Sequence, residues 1–250
     1  MNILLLGATG SIGDSVLSVI KENHSELNLF GITFHKNKNK SQEIIKDFKP
    51  EFAYVEDRST FEDLKDTSDI TFLNGDSSLK ELIEHDDVDV IISAISGFAG
   101  LKATYLASST GKKILLANKE SIVAGGDLIT ARAKKFNSKI IPIDSEHNAI
   151  FQCLSGQRSP DDVQNITITA SGGPFIGKKI SDLKDVTKDD ALNHPNWDMG
   201  SKISIDSATL VNKCLELIEA KYLFDLEESI FDLVIHPQSI VHSVVTYKAV

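Results

Sequence analysis

Short apolar runs alternate with stretches of helical periodicity along the first 143 residues of this chain. Runs at 3–6, 27–33, 52–55, 70–73, 88–93, 113–116 and 139–143 have the length and β-branched content of strands. Between them, 11–23, 41–48, 77–85, 100–108 and 120–136 carry the spacing of helices. Repeated strand–helix alternation predicts an α/β fold with a parallel, doubly wound, Rossmann-like sheet. The run Val88-Asp89-Val90-Ile91-Ile92-Ser93 reads as a buried central strand.

After residue 144 the texture changes. Loops become rich in Gly, Pro and Asp. Strands are expected at 165–170, 233–236 and 240–247, and one helix over 207–224. The stretch 178–193 reads as a solvated helix and loop. Two domains follow: 1–143, a nucleotide-binding unit, and 144–250, an α+β unit with the chemistry of a catalytic domain. The sequence stops at Val250 on a strand pattern, which suggests that the second domain is incomplete at that end.

Composition narrows the function. The chain is 41% hydrophobic and 25% charged, with 26 basic and 36 acidic residues and a net charge of −10. It lacks a Lys/Arg-rich block, which argues against nucleic acid or an anionic membrane as a partner. No apolar run approaches membrane-spanning length, and the start reads as a first strand, not a signal peptide. Cys153 and Cys214 sit in no metal-binding spacing, as expected of a cytoplasmic protein.

The first strand runs into Gly7-Ala8-Thr9-Gly10-Ser11-Ile12-Gly13 and then a helix. Glycines at this spacing allow a tight turn, and the helix start offers N–H groups to a pyrophosphate. The second strand ends in Phe34-His35-Lys36-Asn37-Lys38-Asn39-Lys40. It lacks the acid that would bind a ribose 2′-hydroxyl; Lys and Asn suit a 2′-phosphate, and so NADP. A solvated basic loop is the competing reading for Lys38 and Lys40. Asn118, Lys119 and Glu120 follow another strand, where ligands of open α/β sheets bind. Glu120 also reads as an ordinary first-turn helix residue.

Asp144-Ser145-Glu146-His147 closes the nucleotide-binding pattern. On extended backbone the two acids point to one side and offer hard oxygen ligands to Mg²⁺ or Mn²⁺. A solvated acidic turn is the bland alternative. A third ligand is available from Glu216, which shares a helix face of about 100° with Asn212 and Lys213, opposite Leu210, Cys214, Leu217 and Ile218. A solvent-facing Lys–Glu pair competes with that reading. Ser207, Asn212 and Lys213 would hold a phosphate, and Ser171-Gly172-Gly173 would form a nest for an anion, with an ordinary β-turn as the competing reading. The loop His194-Pro195-Asn196-Trp197-Asp198-Met199-Gly200 suits a lid that excludes water, or a Trp anchor on the core. His236, before Pro237, reads as structural; His147 and His242 stay open.

Together these segments resemble the 1-deoxy-D-xylulose 5-phosphate reductoisomerase family. The resemblance lies in 7–13 (GATGSIG), 115–121 (LLANKES), 144–152 (DSEHNAIFQ), 171–175 (SGGPF), 194–197 (HPNW), 202–208 (KISIDSA), Asn212-Lys213 with Glu216, and 236–239 (HPQS). It implies an enzyme that converts 1-deoxy-D-xylulose 5-phosphate to 2-C-methyl-D-erythritol 4-phosphate in non-mevalonate isoprenoid synthesis, with NADPH and a divalent cation, Mn²⁺ or Mg²⁺. By resemblance, Asp144, Glu146 and Glu216 bind the metal, and Lys119 and Glu146 are catalytic. The substrate is met by Lys119, Ser145, Glu146, Ser171, His194, Ser207, Asn212, Lys213 and Glu216. The cofactor is met by Thr9, Gly10, Ser11, Ile12, Lys36, Asn37, Asn118, Glu120 and Gly200. His35 stands where the family often has a small residue. Family members are homodimers with a further C-terminal helical domain, absent from this sequence. An NADP-dependent semialdehyde or homoserine-type dehydrogenase and an inactive NADP-binding fragment are the alternatives.

Overall fold

A computed structural model describes the chain apart from Gln157, Arg158, Asp198 and Val250. Asp198 of the expected lid loop and the terminal Val250 therefore lie outside the described residues. The chain forms two compact units, Met1–Ile141 and Pro142–Val250.

The first unit alternates as β1 (Asn2–Leu6), α1 (Ser11–Glu22), β2 (Asn28–Phe34), α2 (Lys38–Phe48), β3 (Phe52–Val55), α3 (Arg58–Leu64), β4 (Thr71–Leu73), α4 (Asp76–Glu84), β5 (Val90–Ser93), α5 (Leu101–Ala107), β6 (Lys113–Leu116) and α6 (Lys119–Phe136). Strand β7 (Lys139–Pro142) closes the series. The sheet has seven strands in the order β4-β3-β2-β1-β5-β6-β7. Leu4, Leu5 and Leu6 of β1 and Ile91 of β5 are fully buried, because the central strands of a doubly wound sheet are covered on both faces. Val88 and Asp89, expected in β5, precede it.

Helix α3 is absent from the sequence-based expectation. Its start is set by Asp57, whose carboxylate accepts from the Thr60 backbone N–H at 2.8 Å and the Thr60 hydroxyl at 2.7 Å. At only seven residues it is too short to show a clear apolar period.

The second unit contains α7 (Ser145–Leu154), β8 (Val163–Ala170), α8 (Lys188–Leu192), α9 (Ser201–Ala208), α10 (Val211–Phe224), β9 (Phe231–Ile235) and β10 (Ser243–Tyr247). Its sheet runs β10-β8-β9, antiparallel between β10 and β8 and parallel between β8 and β9. Ile150, Val163, Ile166, Ile168 and Ala220 form its core, with Leu217, Phe224 and Val245 packed around them.

Three expectations are corrected here. Asp144-Ser145-Glu146 is not extended: Asp144 is the N-cap of α7 and Glu146 lies in its first turn. The helix expected over 207–224 is two helices, broken at Thr209-Leu210, where Leu210 takes a left-handed conformation with φ +61°. Ser207 therefore sits on α9, whereas Asn212, Lys213 and Glu216 sit on α10. The buried face of α10 is also the polar one: Lys213, Glu216, Glu219 and Ala220 are buried, whereas Leu210, Cys214 and Ile218 are exposed. Hydropathy alone misassigns that face, because these charges are buried against one another.

Candidate metal and anion pocket

The second unit encloses a cavity of about 340 Å³. Asp144, Ser145 and Glu146 enter it from the start of α7, Ser171 from the end of β8, and His194 from the loop after α8. Ser207 reaches it from α9, and Asn212, Lys213 and Glu216 from α10. Two helix starts, a strand end, a loop and the last turn of α9 thus bring to one place residues from Asp144 to Glu216.

Asp144, Glu146 and Glu216 each offer a carboxylate oxygen, and these oxygens lie within 4.8 Å of one another. Glu216 is only 1% exposed. The Lys213 ammonium lies between two of the acids, 3.0 Å from Glu146 and 2.5 Å from Glu216. The Asn212 side-chain amide donates to Glu216, and the Ser145 hydroxyl donates to Glu146 at 2.7 Å. The Lys213 ammonium thus meets Glu146 and Glu216, while the third acid, Asp144, lies beside the His147 ring. Like charges at this separation repel unless a further cation neutralises them. The donor set, all carboxylate oxygen, fits Mg²⁺ or Mn²⁺ and not a soft metal.

His147 sits behind these acids and is fully buried. Its Nε2–H donates to the Glu216 backbone carbonyl at 2.9 Å, and its Nδ1 lies 3.4 Å from Asp144. Burial opposes protonation, yet Glu219, Asp144 and Glu216 outweigh it and raise the imidazole to about 9. The ring ties α7 to α10, a role that the sequence left undecided. Glu219, fully buried 3.6 Å from His147 Nε2, escaped sequence reasoning. Its i,i+3 spacing from Glu216 on a polar face was the available signal.

At the other side of the pocket, His194 Nδ1 accepts the backbone N–H groups of Asn196 at 3.2 Å and Trp197 at 3.1 Å. Only an unprotonated Nδ1 can accept, so the proton is on Nε2, which donates to Ser171 Oγ at 2.9 Å. Burial holds the ring below its ordinary value of 6.5 and so keeps this tautomer neutral. Ser171 Oγ accepts from His194 and from Gly173 N–H at 3.3 Å. Its own proton is left to donate, which suits an anion's oxygen. Gly172 and Gly173 have φ of +91° and +68°. A Cβ on Gly173 would lie 2.7 Å from the Ser207 carbonyl oxygen, so only glycine lets the end of β8 approach α9. Trp197 and Met199 also line the cavity, with Trp197 48% exposed. His236 is structural: its Nε2 accepts from Ile240 and Val241 N–H at 3.1 and 3.3 Å. His242 faces the cavity.

The remaining candidates, apart from Gly200, belong to the first unit. Thr9 and Gly10 form the turn after β1, and Ser11 and Ile12 open α1. In that turn Gly7 packs so closely on the end of β5 that a Cβ would lie 2.7 Å from the Ala94 carbonyl oxygen. Lys36 and Asn37 follow β2, where Asn37 caps α2 by accepting from Lys40 N–H at 3.3 Å. Lys38 and Lys40 lie in the first turn of α2, where Lys38 pairs with Asp63 and Lys40 with Asp14 at 2.6 Å. Asn118 is buried and caps α6, its carboxamide oxygen accepting from Ser121 N–H at 3.0 Å. Its amide donates to the Ile95 carbonyl, to the Gly97 carbonyl at 2.8 Å and to Glu120 at 3.2 Å. Asn118 thus ties the start of α6 to the turn after β5. Lys119 is the buried first residue of α6. Gly200 lies in the second unit, as the N-cap of α9.

Fold and site define the class: a doubly wound α/β unit followed in the chain by a unit with an acidic, cation-fitting pocket. Comparisons with known proteins agree. Residues 3–126 match the family model of 1-deoxy-D-xylulose 5-phosphate reductoisomerase, and 140–224 match that of its C-terminal domain. The 1-deoxy-D-xylulose 5-phosphate reductoisomerase of Francisella tularensis subsp. novicida (strain U112) is 48% identical over 248 residues, 98% of this chain and 64% of that protein. The one from Vesicomyosocius okutanii subsp. Calyptogena okutanii (strain HA) is 46% identical over 249 residues, 99% of this chain and 64% of that protein. A crystal structure of DOX-P reductoisomerase in complex with NADPH, fosmidomycin and magnesium is similar with a TM-score of 0.93 at 42% identity, covering 99% of this chain and 64% of that one. The Zymomonas mobilis enzyme in complex with NADPH has a TM-score of 0.88 at 40% identity, covering 98% and 64%.

The chain belongs to the 1-deoxy-D-xylulose 5-phosphate reductoisomerase family. It spans 64% of the length of the curated relatives that it matches.

Proposed function

We propose that this chain carries the cofactor, metal and substrate residues of a 1-deoxy-D-xylulose 5-phosphate reductoisomerase, which forms 2-C-methyl-D-erythritol 4-phosphate in non-mevalonate isoprenoid synthesis. The observation that carries this reading is the convergence of Asp144, Glu146 and Glu216 around Lys213 in a pocket whose far side presents Ser171 and His194. A simple NADP-dependent aldehyde dehydrogenase has no need of such a triad.

In this reading Asp144, Glu146 and Glu216 hold Mg²⁺ or Mn²⁺, which supplies Lewis acidity to the substrate's carbonyl and hydroxyl oxygens. NADPH, bound by Thr9, Gly10, Ser11, Ile12, Lys36, Asn37, Asn118, Glu120 and Gly200, supplies hydride. Ser171, His194, Ser207, Asn212 and Lys213 bind the phosphate. Ser171 donates its fixed O–H to a phosphate oxygen, and Lys213 contributes a positive charge. Ser145, Glu146 and Lys119 line the reacting carbons. Trp197 and Met199 exclude water from the rearranging skeleton. The family's homodimer and a cytoplasmic location complete the proposal; among the described residues no helix is long and apolar enough to cross a membrane.

The test is NADPH absorbance during incubation with 1-deoxy-D-xylulose 5-phosphate and Mn²⁺. The proposal expects substrate-dependent consumption that EDTA abolishes and Mn²⁺ restores. Consumption that persists in EDTA would overturn the metal role. A chain of the relatives' length that consumes no NADPH would overturn the function. Cofactor binding without turnover by the 250 residues alone, with turnover in the longer chain, would favour the binding-fragment reading that the 64% coverage raises.

A further inference from the structure

Phe98 is 70% exposed, against 41% for Phe136 and 38% for Tyr105 in the same unit. Those two rings are covered by the Arg132 guanidinium, at 5.2 and 4.6 Å from their centroids. Phe98 instead faces solvent from a turn that is firmly held. The Asn118 amide donates to Ile95 O and Gly97 O on one side of it. On the other side Gly100 N–H donates to Gly97 O at 3.2 Å, and a Cβ on Gly100 would lie 2.9 Å from the Asn118 carboxamide carbon. Gly97 has φ +74°, which a side chain disfavours. An exposed ring on a rigid, glycine-flanked turn has no part in the core.

Its place gives it one. The strand order reverses between β1 and β5: chain order runs outward through β2, β3 and β4 on one side and through β5, β6 and β7 on the other. Dinucleotides bind in the crevice beyond the carboxyl ends of strands at such a reversal. The turn after β1 lies directly against the end of β5, at Ala94. Lys36 and Asn37, suited to a 2′-phosphate, follow β2 on the opposite side of β1. With the pyrophosphate at the start of α1, the adenosine half lies toward β2 and the other half toward β5 and Phe98.

We infer that Phe98 is an apolar contact for the nicotinamide mononucleotide half of NADPH, carried on a turn whose backbone Asn118 holds. This rests on the reading of the first unit as an NADPH site. A rigid aromatic offers a large contact area at little ordering cost, which is how cofactor pockets fix an otherwise polar ligand.

Calorimetric titration of the full chain with NADPH and with 2′,5′-ADP, which carries only the adenosine half, tests it. Phe98→Ala is expected to weaken NADPH roughly tenfold, the cost of losing part of one buried aromatic contact, and to leave 2′,5′-ADP within about twofold. Phe98→Tyr keeps the ring and is expected to keep NADPH affinity. Unchanged NADPH affinity in Phe98→Ala, or equal weakening of both ligands, would overturn the inference. If the parent chain binds neither ligand, the NADPH reading itself falls and the inference with it.

Discussion

His194 has its two ring nitrogens committed in opposite senses, one accepting backbone N–H groups and the other donating to Ser171. Protonation would put a hydrogen on Nδ1 and break the acceptor side. Because burial lowers its folded pKa, the neutral form stabilises the fold above the ordinary value of 6.5, and that stability is lost as pH falls through and below it. Trp197 is the sole tryptophan and lies at this turn, so its emission should shift on acidification through that window. His194→Gln should remove the shift; an unaltered titration in that variant would place its origin elsewhere. Gly13 offers a second residue-scale test. A Cβ there would lie 2.3 Å from the Ala8 carbonyl oxygen, and backbone on backbone cannot give way cheaply. Gly13→Ala should destabilise the first unit by about 1–3 kcal/mol in urea unfolding and abolish NADPH binding. A variant of parental stability and affinity would refute that packing. The necessity of Gly13 was legible, since the third glycine of such a loop serves helix–strand contact. The His194 tautomer was not, because it depends on which backbone amides the loop turns toward the ring.

Helix α2 ends at Lys49 with φ +47°, a left-handed position that glycine fills without strain. Lys49→Gly should raise the unfolding free energy by about 1 kcal/mol, read as a higher midpoint at unchanged m-value. A lower midpoint would show that the lysine compensates its backbone in ways that the fold does not reveal. Elements of the first unit were largely legible, since each strand carries its own apolar run and each helix except the seven-residue α3 its own period. The break between α9 and α10 was not. Leu210 is a good helix former by propensity, yet it takes φ +61° and turns the chain so that Ser207 and Lys213 both face one cavity. Propensity yields to tertiary packing at such a joint. Of the site residues, the joint removes only Ser207 from the helix expected over 207–224; Asn212, Lys213 and Glu216 do share one face of α10, and that face is buried and lined by ion pairs.

At the scale of the whole molecule, the separation into a cofactor-type unit and an acidic pocket unit follows from composition and periodicity. The convergence of Asp144 and Glu146 with Glu216 does not, because it depends on how α7 packs against α10 through His147. The sequence supplied the ligand types, though with the wrong local backbone: the first two acids meet at a helix start and not on a strand. Converging acids repel one another and cost stability, as functional sites commonly do, and Lys213 keeps Glu146 as a partner when the Glu216 charge is removed. Metal-free Glu216→Gln should therefore unfold at a temperature no lower than the metal-free parent, which separates loss of function from loss of fold. Unfolding of Glu216→Gln well below the parent would mean that the Glu216 charge braces the metal-free pocket.

Mn²⁺ titration followed by electron paramagnetic resonance tests, without requiring turnover, that these three carboxylates are a cation site. One strong site is expected in the parent chain, weakened at least about tenfold in Glu216→Gln and in Asp144→Asn. Equal Mn²⁺ affinity in the parent and in both variants would contradict it.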